Sequence, residues 1–274
     1  MLKLAKTLRG RTTGTQPLTS LTKGLQLLVY LRDAAKPLSL TAISRGLGFN
    51  KVSALRILLT LERHRFVEKD PRDKTYKIGS NAFYVGSGFI AGGKRERILQ
   101  AMAKLVHDLK HTITLGVLDG ASVLFVERVD GTERVKVTVD IGSRVPAHSS
   151  AAGKALLAGL SDAEIIKRLK GLKLKSPTRA HFKSVQEILM VIAKVRACGF
   201  AVNDEDSTPG LIAVAVPIKS EAGGHIAALG AAFPAGQLKH KEDQKRVALT
   251  LQQAAEEIGS LDVRTSREIF NAAG

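Results

Sequence analysis

Between Ser20 and Ile78 the chain holds three short apolar-periodic segments, followed at once by two alternating runs around a Pro-containing turn. Few small folds accept that order. Ser20 offers a helix cap, and Leu21, Leu25, Leu28 and Val29 follow at helical spacing, predicting a first helix with that stripe inward. Ala34-Ala35-Lys36-Pro37 ends it. Ser39 then caps a shorter helix whose inward face is Leu40, Ile43 and Leu47, and Gly48 supplies a tight turn. Asn50 starts a third helix, through about Arg63, with Val52, Leu55, Leu59 and Leu58 predicted inward. Phe66–Lys69, Asp70-Pro71-Arg72-Asp73 and Lys74–Ile78 read as strand, turn, strand. Three helices with a tight turn between the last two, then a hairpin, make a winged helix-turn-helix.

Charge agrees with that reading. Residues 1–93 hold 16 of the 42 Lys/Arg but only 5 of the 25 Asp/Glu, so the larger part of the +17 net charge sits in a third of the chain. A basic surface of this kind suits a polyanion, and double-stranded DNA is the expected partner. The third helix is expected to enter the major groove with Lys51, Ser53, Ala54, Arg56 and Thr60 outward. Arg72 and Lys74 at the wing tip are expected to meet the adjacent backbone or minor groove.

Beyond residue 93 strands and helices mix. Thr112–Leu118 and Val123–Val129 flank Asp119-Gly120, a hairpin signal; Arg134–Val139 alternates as a third strand; Leu211–Ile218 and His225–Ala232 are two more. Ala151–Leu160, Asp162–Leu169, Val185–Cys198 and about Lys239–Ser260 read as helices. Hairpin-linked strands with helices between and after them predict an α+β domain around an antiparallel sheet. The expected organisation is a disordered basic tail over 1–19, the DNA-binding domain over 20–80, a linker over 81–104, a ligand-sensing domain over 105–262 and a tail over 263–274.

Several classes of chemistry find little support. Cys198 is the one cysteine, which excludes an intrachain disulfide and favours a reducing, cytoplasmic setting. No run approaches the ~18 apolar residues that cross a bilayer, so no membrane partner is expected. The seven His show no metal-binding spacing, and Gly153-Lys154 lacks the remainder of a phosphate loop; no metal and no cofactor are expected. His148, Ser149, Ser150 and Asp204 supply triad residue types without a nucleophile elbow, so no catalytic residue is assigned. Asp204-Glu205-Asp206 reads as a solvated acidic loop or a cation site. Small residues entering a helix at Ser150-Ala151-Ala152 leave backbone N–H groups free, which reads as either an anion seat or a simple cap.

The order of motifs resembles the IclR family of bacterial transcriptional regulators. The resemblance rests on Ser20–Leu25, Pro37–Leu40, Lys51–Arg56, Tyr76–Gly79, Pro146–His148, Ala152–Ala155 and the segment 199–206 with Gly210. It implies a winged helix-turn-helix joined to a GAF-like effector domain, working as a homodimer or homotetramer. It also implies that a small-molecule carboxylate effector meets the amides where the Ala151-Ala152 helix begins. Ser150, Asn203, Ala213, Gly230 and Ala232 then stand at the remaining effector positions. Where a relative that binds a small polar acid has polar types, this chain has Asn203, Ala213, Gly230 and Ala232, an apolar lining that suits a larger organic acid such as an aromatic one. A regulator without a ligand, and an enzyme with an appended DNA-binding domain, remain the alternatives.

Overall fold

The computed structural model describes residues 16–88, 94–133, 139–172, 174, 182–206, 208–220, 223–238 and 240–260. The chain forms two units, residues 1–89 and 90–274.

The first unit begins with α1 (Thr19–Arg32), then β1 (Leu38–Ser39), α2 (Leu40–Leu47), α3 (Lys51–Arg63), β2 (Val67–Lys69), β3 (Thr75–Ile78) and α4 (Ser80–Ser87). Local side chains set the boundaries. Ser39 Oγ accepts from the Ala42 amide at 3.3 Å and Asn50 Oδ1 from the Ser53 amide at 2.7 Å, capping α2 and α3. Gly48 closes α2 at φ 67°, a left-handed conformation that glycine adopts without a Cβ penalty. The strands form a three-stranded antiparallel sheet in the order β1-β3-β2, with Leu38 opposite Tyr76 and Val67 opposite Ile78. Leu27, Leu31, Ile43, Leu58, Val67 and Tyr76 close the core.

Two inward faces differ from the sequence expectation. In α1 the buried row is Gly24, Leu27 and Leu31, while Leu21, Leu25 and Val29 are exposed, and Ser20 lies inside the helix with no cap role. In α3 the buried residues are Ala54 and Leu58, with Val52, Leu55 and Leu59 exposed. Both helices carry apolar residues on two stripes, and periodicity alone does not say which one faces the core.

The second unit runs α5 (Lys94–Leu109), β4 (Ile113–Asp119), β5 (Ser122–Val129), β6 (Arg144–Pro146), α6 (Ala151–Leu157), α7 (Asp162–Leu169), α8 (Val185–Cys198), β7 (Ala201–Asp204), β8 (Leu211–Lys219), β9 (His225–Pro234) and α9 (Lys241–Gly259). Its six strands pair antiparallel in the order β6-β5-β4-β9-β8-β7. Alternation along each strand gives the sheet two apolar faces. Ile113, Leu115, Val117, Val214, Val216, Leu229 and Ala231 pack with α5 and α9. Phe125, Ala201, Ala215 and Ala228 pack with α6, α7 and α8. Ile98 and Met102 of α5 are fully buried in the first of these cores, so the stretch from Lys94 belongs to this unit's packing, beyond what the linker expectation over 81–104 allowed. The strand expected over Arg134–Val139 falls largely on residues outside the described set, as do residues 1–15 of the expected first tail and all of the expected tail over 263–274.

Candidate functional site

Two regions gather the residues singled out in the sequence, one in each unit. On α3 the outward stripe is Val52, Arg56, Leu59 and Arg63, all exposed, with Lys51 and Thr60 exposed beside it and Ser53 half-buried on the flank. Thr60 Oγ1 donates to the Arg56 carbonyl at 2.9 Å, which keeps that hydroxyl against its own helix. Ala54 does not belong to this face. It is fully buried in the core, because the helix turns its 54–58 row toward α1 and α2. A side chain without solvent access cannot touch DNA.

The wing is a tight turn. Asp70 Oδ1 accepts from the Arg72 amide at 2.8 Å, and Lys74 takes a left-handed conformation at φ 58°. Arg72 and Lys74 are both exposed at its tip. Asp73 Oδ1 accepts from the Thr75 hydroxyl at 2.6 Å and its amide at 2.9 Å, which holds the Asp73 carboxyl below the usual carboxylate range.

In the second unit a cavity of about 620 Å³ opens between the sheet and the start of α6. It brings together all seven residues named for the effector: Ser150, Ala151, Ala152, Asn203, Ala213, Gly230 and Ala232. Register explains why. Asn203, Ala213 and Ala232 stand opposite one another on a single rung across β7, β8 and β9. Two residues along lies the rung Ala201, Ala215, Gly230 and Thr114, pointing to the same face. Small residues on both rungs leave the volume that the cavity occupies.

Helix α6 approaches the sheet closely because it too is built of small residues, and all seven of its positions are buried. A Cβ on Gly153 would come within 2.1 Å of the Ala147 carbonyl oxygen, so only glycine allows the turn at Ala147–Ser149 to pass over the helix. Ser150 Oγ accepts from the Gly153 amide at 3.1 Å and serves as the cap, while Ala151 and Ala152 open the helix at the cavity wall.

The far wall is held by a buried cation. Lys154 Nζ lies 2.5 Å from Asp206 Oδ2 and 3.1 Å from the Val202 carbonyl, with side-chain exposures of 5% for Lys154 and 19% for Asp206. Asn203, itself buried, accepts from the Asp206 amide at 2.8 Å. Glu205 accepts from the Gly210 amide at 2.7 Å. Asp204 and Glu205 of the acidic segment are exposed, as a solvated loop would be, while Asp206 turns inward. Asp206 has Lys154 as its counter-ion, and no group able to hold a metal occurs among the described residues.

Sequence reasoning missed Thr112, just before β4, and Thr114 within it, which line the cavity and are almost fully buried. Thr112 Oγ1 accepts from the Gly131 amide at 3.1 Å, and Thr114 Oγ1 makes only a long 3.4 Å contact to the Gly230 carbonyl. Their parity was available: with Ile113 and Leu115 facing one core, Thr112 and Thr114 face the other side. Among the described lining residues there is no Lys, Arg or His, and Phe125 is the one aromatic ring.

Residues 95–260 match the family model for the bacterial transcriptional regulator IclR C-terminal domain, and residues 20–71 match that for the IclR helix-turn-helix domain. The chain belongs to the IclR family. It is a DNA-binding transcriptional regulator with a C-terminal effector-binding domain. The HTH-type transcriptional regulator XynR of Escherichia coli (strain K12) is 30% identical to it over 212 residues, covering 77% of this chain and 84% of the relative. The acetate operon repressor of Salmonella typhimurium is 28% identical, covering 93% and 90%. Among solved structures, an IclR-family regulator from Alicyclobacillus acidocaldarius shares the fold at a TM-score of 0.79 and 24% identity, covering 90% of this chain and 100% of that one. An IclR homologue from Microbacterium hydrocarbonoxydans, in complex with 4-hydroxybenzoate, does so at 0.78 and 23%, covering 90% and 99%. In this chain, as described, no helix is long and apolar enough to cross a membrane.

Proposed function

We propose that the regulator responds to a small organic acid carrying a single negative charge on a largely apolar body, held in the cavity at the start of α6. The observation that carries this is the composition of the lining. Hydroxyls of Ser143, Ser150, Thr112 and Thr114, the Asn203 amide and the backbone at Ala151 and Ala152 offer polar contacts; the one carboxylate of the lining, Asp140, is 80% exposed and lies 3.6 Å from Arg128, and no cationic side chain is among the described lining residues. Hydrogen bonds and peptide dipoles suffice for one carboxylate, whereas a dicarboxylate or phosphate would lose more hydration than this wall returns. Ala213, Gly230 and Ala232 leave room for the apolar body, and a volume near 620 Å³ falls in the ordinary range for small-ligand sites. 4-Hydroxybenzoate, seen with the Microbacterium homologue, has this profile and is the first compound to try.

The unit acts as a sensor in this reading, not as a catalyst. Ser149 and His148 are sealed from solvent, Ser150 caps α6, and Asp204 is exposed, so the triad residue types do not form an accessible nucleophile. Effector binding shifts the population of DNA-competent assemblies by its difference in affinity between states. DNA contact falls to Lys51, Ser53, Arg56 and Thr60 of α3 and to Arg72 and Lys74 of the wing. The assembly is a homodimer or homotetramer, since one winged helix offers little interface and paired half-sites multiply it.

Thermal unfolding with a panel of aromatic and short-chain monocarboxylates, their neutral amides and matching dicarboxylates tests the ligand class. A monocarboxylate at 100 times its Kd should stabilise the protein by about 2.7 kcal/mol, with amide and dicarboxylate analogues weaker. Ala232→Phe should abolish the shift while DNA affinity is kept. Amides binding as tightly as acids would remove the head-group assignment, and an unaltered response in Ala232→Phe would move the ligand elsewhere.

A further inference from the structure

The outward stripe of α3 alternates apolar and cationic side chains: Val52, then Arg56, then Leu59, then Arg63, each a helical turn from the next. Val52 is 70% exposed and Leu59 51%, so neither is a core position and each forgoes the free energy of burial unless something covers it. A homotypic interface on this stripe would set Arg56 and Arg63 against their own copies, with Lys51 adding to the repulsion. The charge pattern calls for a polyanion that also presents apolar groups at regular spacing. The floor of the DNA major groove does so, because every thymine carries a C5 methyl there. Residues four apart on a helix are about 5–6 Å apart, and successive bases about 3.4 Å, so a side chain one turn from Arg56 meets a base one or two steps from the one Arg56 reads.

We propose that Val52 and Leu59 are sequence-reading residues that contact thymine methyl groups on either side of the base addressed by Arg56. The assignment rests on α3 being the groove helix. It explains why two residues with the spacing of core positions stand outermost. Arg56 sets affinity and a guanine or phosphate contact, while its apolar neighbours distinguish thymine from cytosine and from uracil.

The test starts from an operator selected by the full chain out of a random duplex pool. Each thymine of the selected site is replaced in turn by deoxyuridine, which removes only the C5 methyl, and affinity is read by fluorescence anisotropy. Wild-type protein should lose about four-fold at two thymines per half-site, the weight of one buried methyl. In Val52→Ala the loss should vanish at one of them, and in Leu59→Ala at the other, with the remaining uridine penalties unchanged. Both positions are exposed and alanine is a good helix former, so both variants fold. A variant that keeps the full wild-type pattern of uridine penalties overturns the assignment of its residue. Arg56→Ala separates the two levels: if it binds the selected site as wild type does, α3 is not the groove helix and the proposal falls with it.

Discussion

Replacing Lys154 by methionine keeps the length and apolar stem of the side chain and deletes its charge. In the wild type the ammonium bonds Asp206 at 2.5 Å and the Val202 carbonyl at 3.1 Å, and it lies 5.9 Å from the centre of the Phe182 ring. Removing one partner of a buried pair costs about 3–5 kcal/mol, mostly by stranding the other charge. Asp206 retains 19% side-chain exposure and a further interaction of its own, so part of the penalty is relieved and the low end, about 3 kcal/mol, is expected. A unit of this size shifts by roughly 2–4 °C per kcal/mol, giving a midpoint lower by about 6–12 °C. The tyrosines provide a way to see where the loss falls: Tyr30, Tyr76 and Tyr84 all lie in the first unit and the chain has no Trp. Far-ultraviolet dichroism should therefore show the earlier transition while tyrosine fluorescence follows the wild-type curve. Adding Asp206→Asn removes the carboxylate that has lost its ammonium and should recover about 2 kcal/mol of the loss. If Lys154→Met unfolds at the wild-type midpoint, or Asp206→Asn makes it worse, the pair does not hold the acidic segment and the account of the far wall is wrong.

Leu21→Glu with Leu25→Glu should dissociate the assembly without unfolding the chain, since both side chains are exposed on α1; sedimentation should give an oligomer for wild type and half its mass or less for the variant. A monomeric wild type at micromolar concentration would contradict the assembly. At the wing, the bonds from Thr75 depress the Asp73 carboxyl, so their stabilisation is complete above the ordinary carboxylate range and fades as pH falls through Asp73's own lowered pKa. Thr75→Val removes the largest of those bonds, and carboxyl-carbon NMR should show Asp73 titrating at higher pH than in wild type; an unmoved titration would mean that the hydroxyl contributes nothing.

How much of this was legible beforehand depended on whether the signal was local. Ser39, Asn50 and Gly48 marked the ends of α2 and α3 because a cap is a contact between near neighbours in sequence. The inward faces of α1 and α3 were misread because each helix carries two apolar stripes, and the identity of the core stripe depends on partners far along the chain. Strand β7 is four residues long and β1 two, too short for alternation to register. The gathering of Asn203, Ala213, Gly230 and Ala232 followed from motif order, yet their common face is a matter of register, which only pairing across three strands determines. Lys154 looked like part of a small-residue helix start. Nothing near it in sequence announced that its counter-ion lies in the acidic segment more than forty residues away.

The two misread stripes differ in a way that assigns them different partners. On α1, Leu18, Leu21, Leu25 and Val29 form an exposed row with no charged side chain until Arg32, which pairs with Asp33 at 2.8 Å. Such a surface gains by meeting another apolar surface, and nothing along it opposes a second copy of itself. On α3, Val52 and Leu59 are separated and followed by Arg56 and Arg63. Two copies of that row repel, whereas a duplex offers phosphates to the guanidinium groups and methyls to the aliphatic side chains. Apolar residues at core spacing that the core does not bury thus need not be read alike. On the proposed reading the charges interleaved with them decide whether protein or nucleic acid covers them, α1 meeting a partner subunit and α3 meeting DNA.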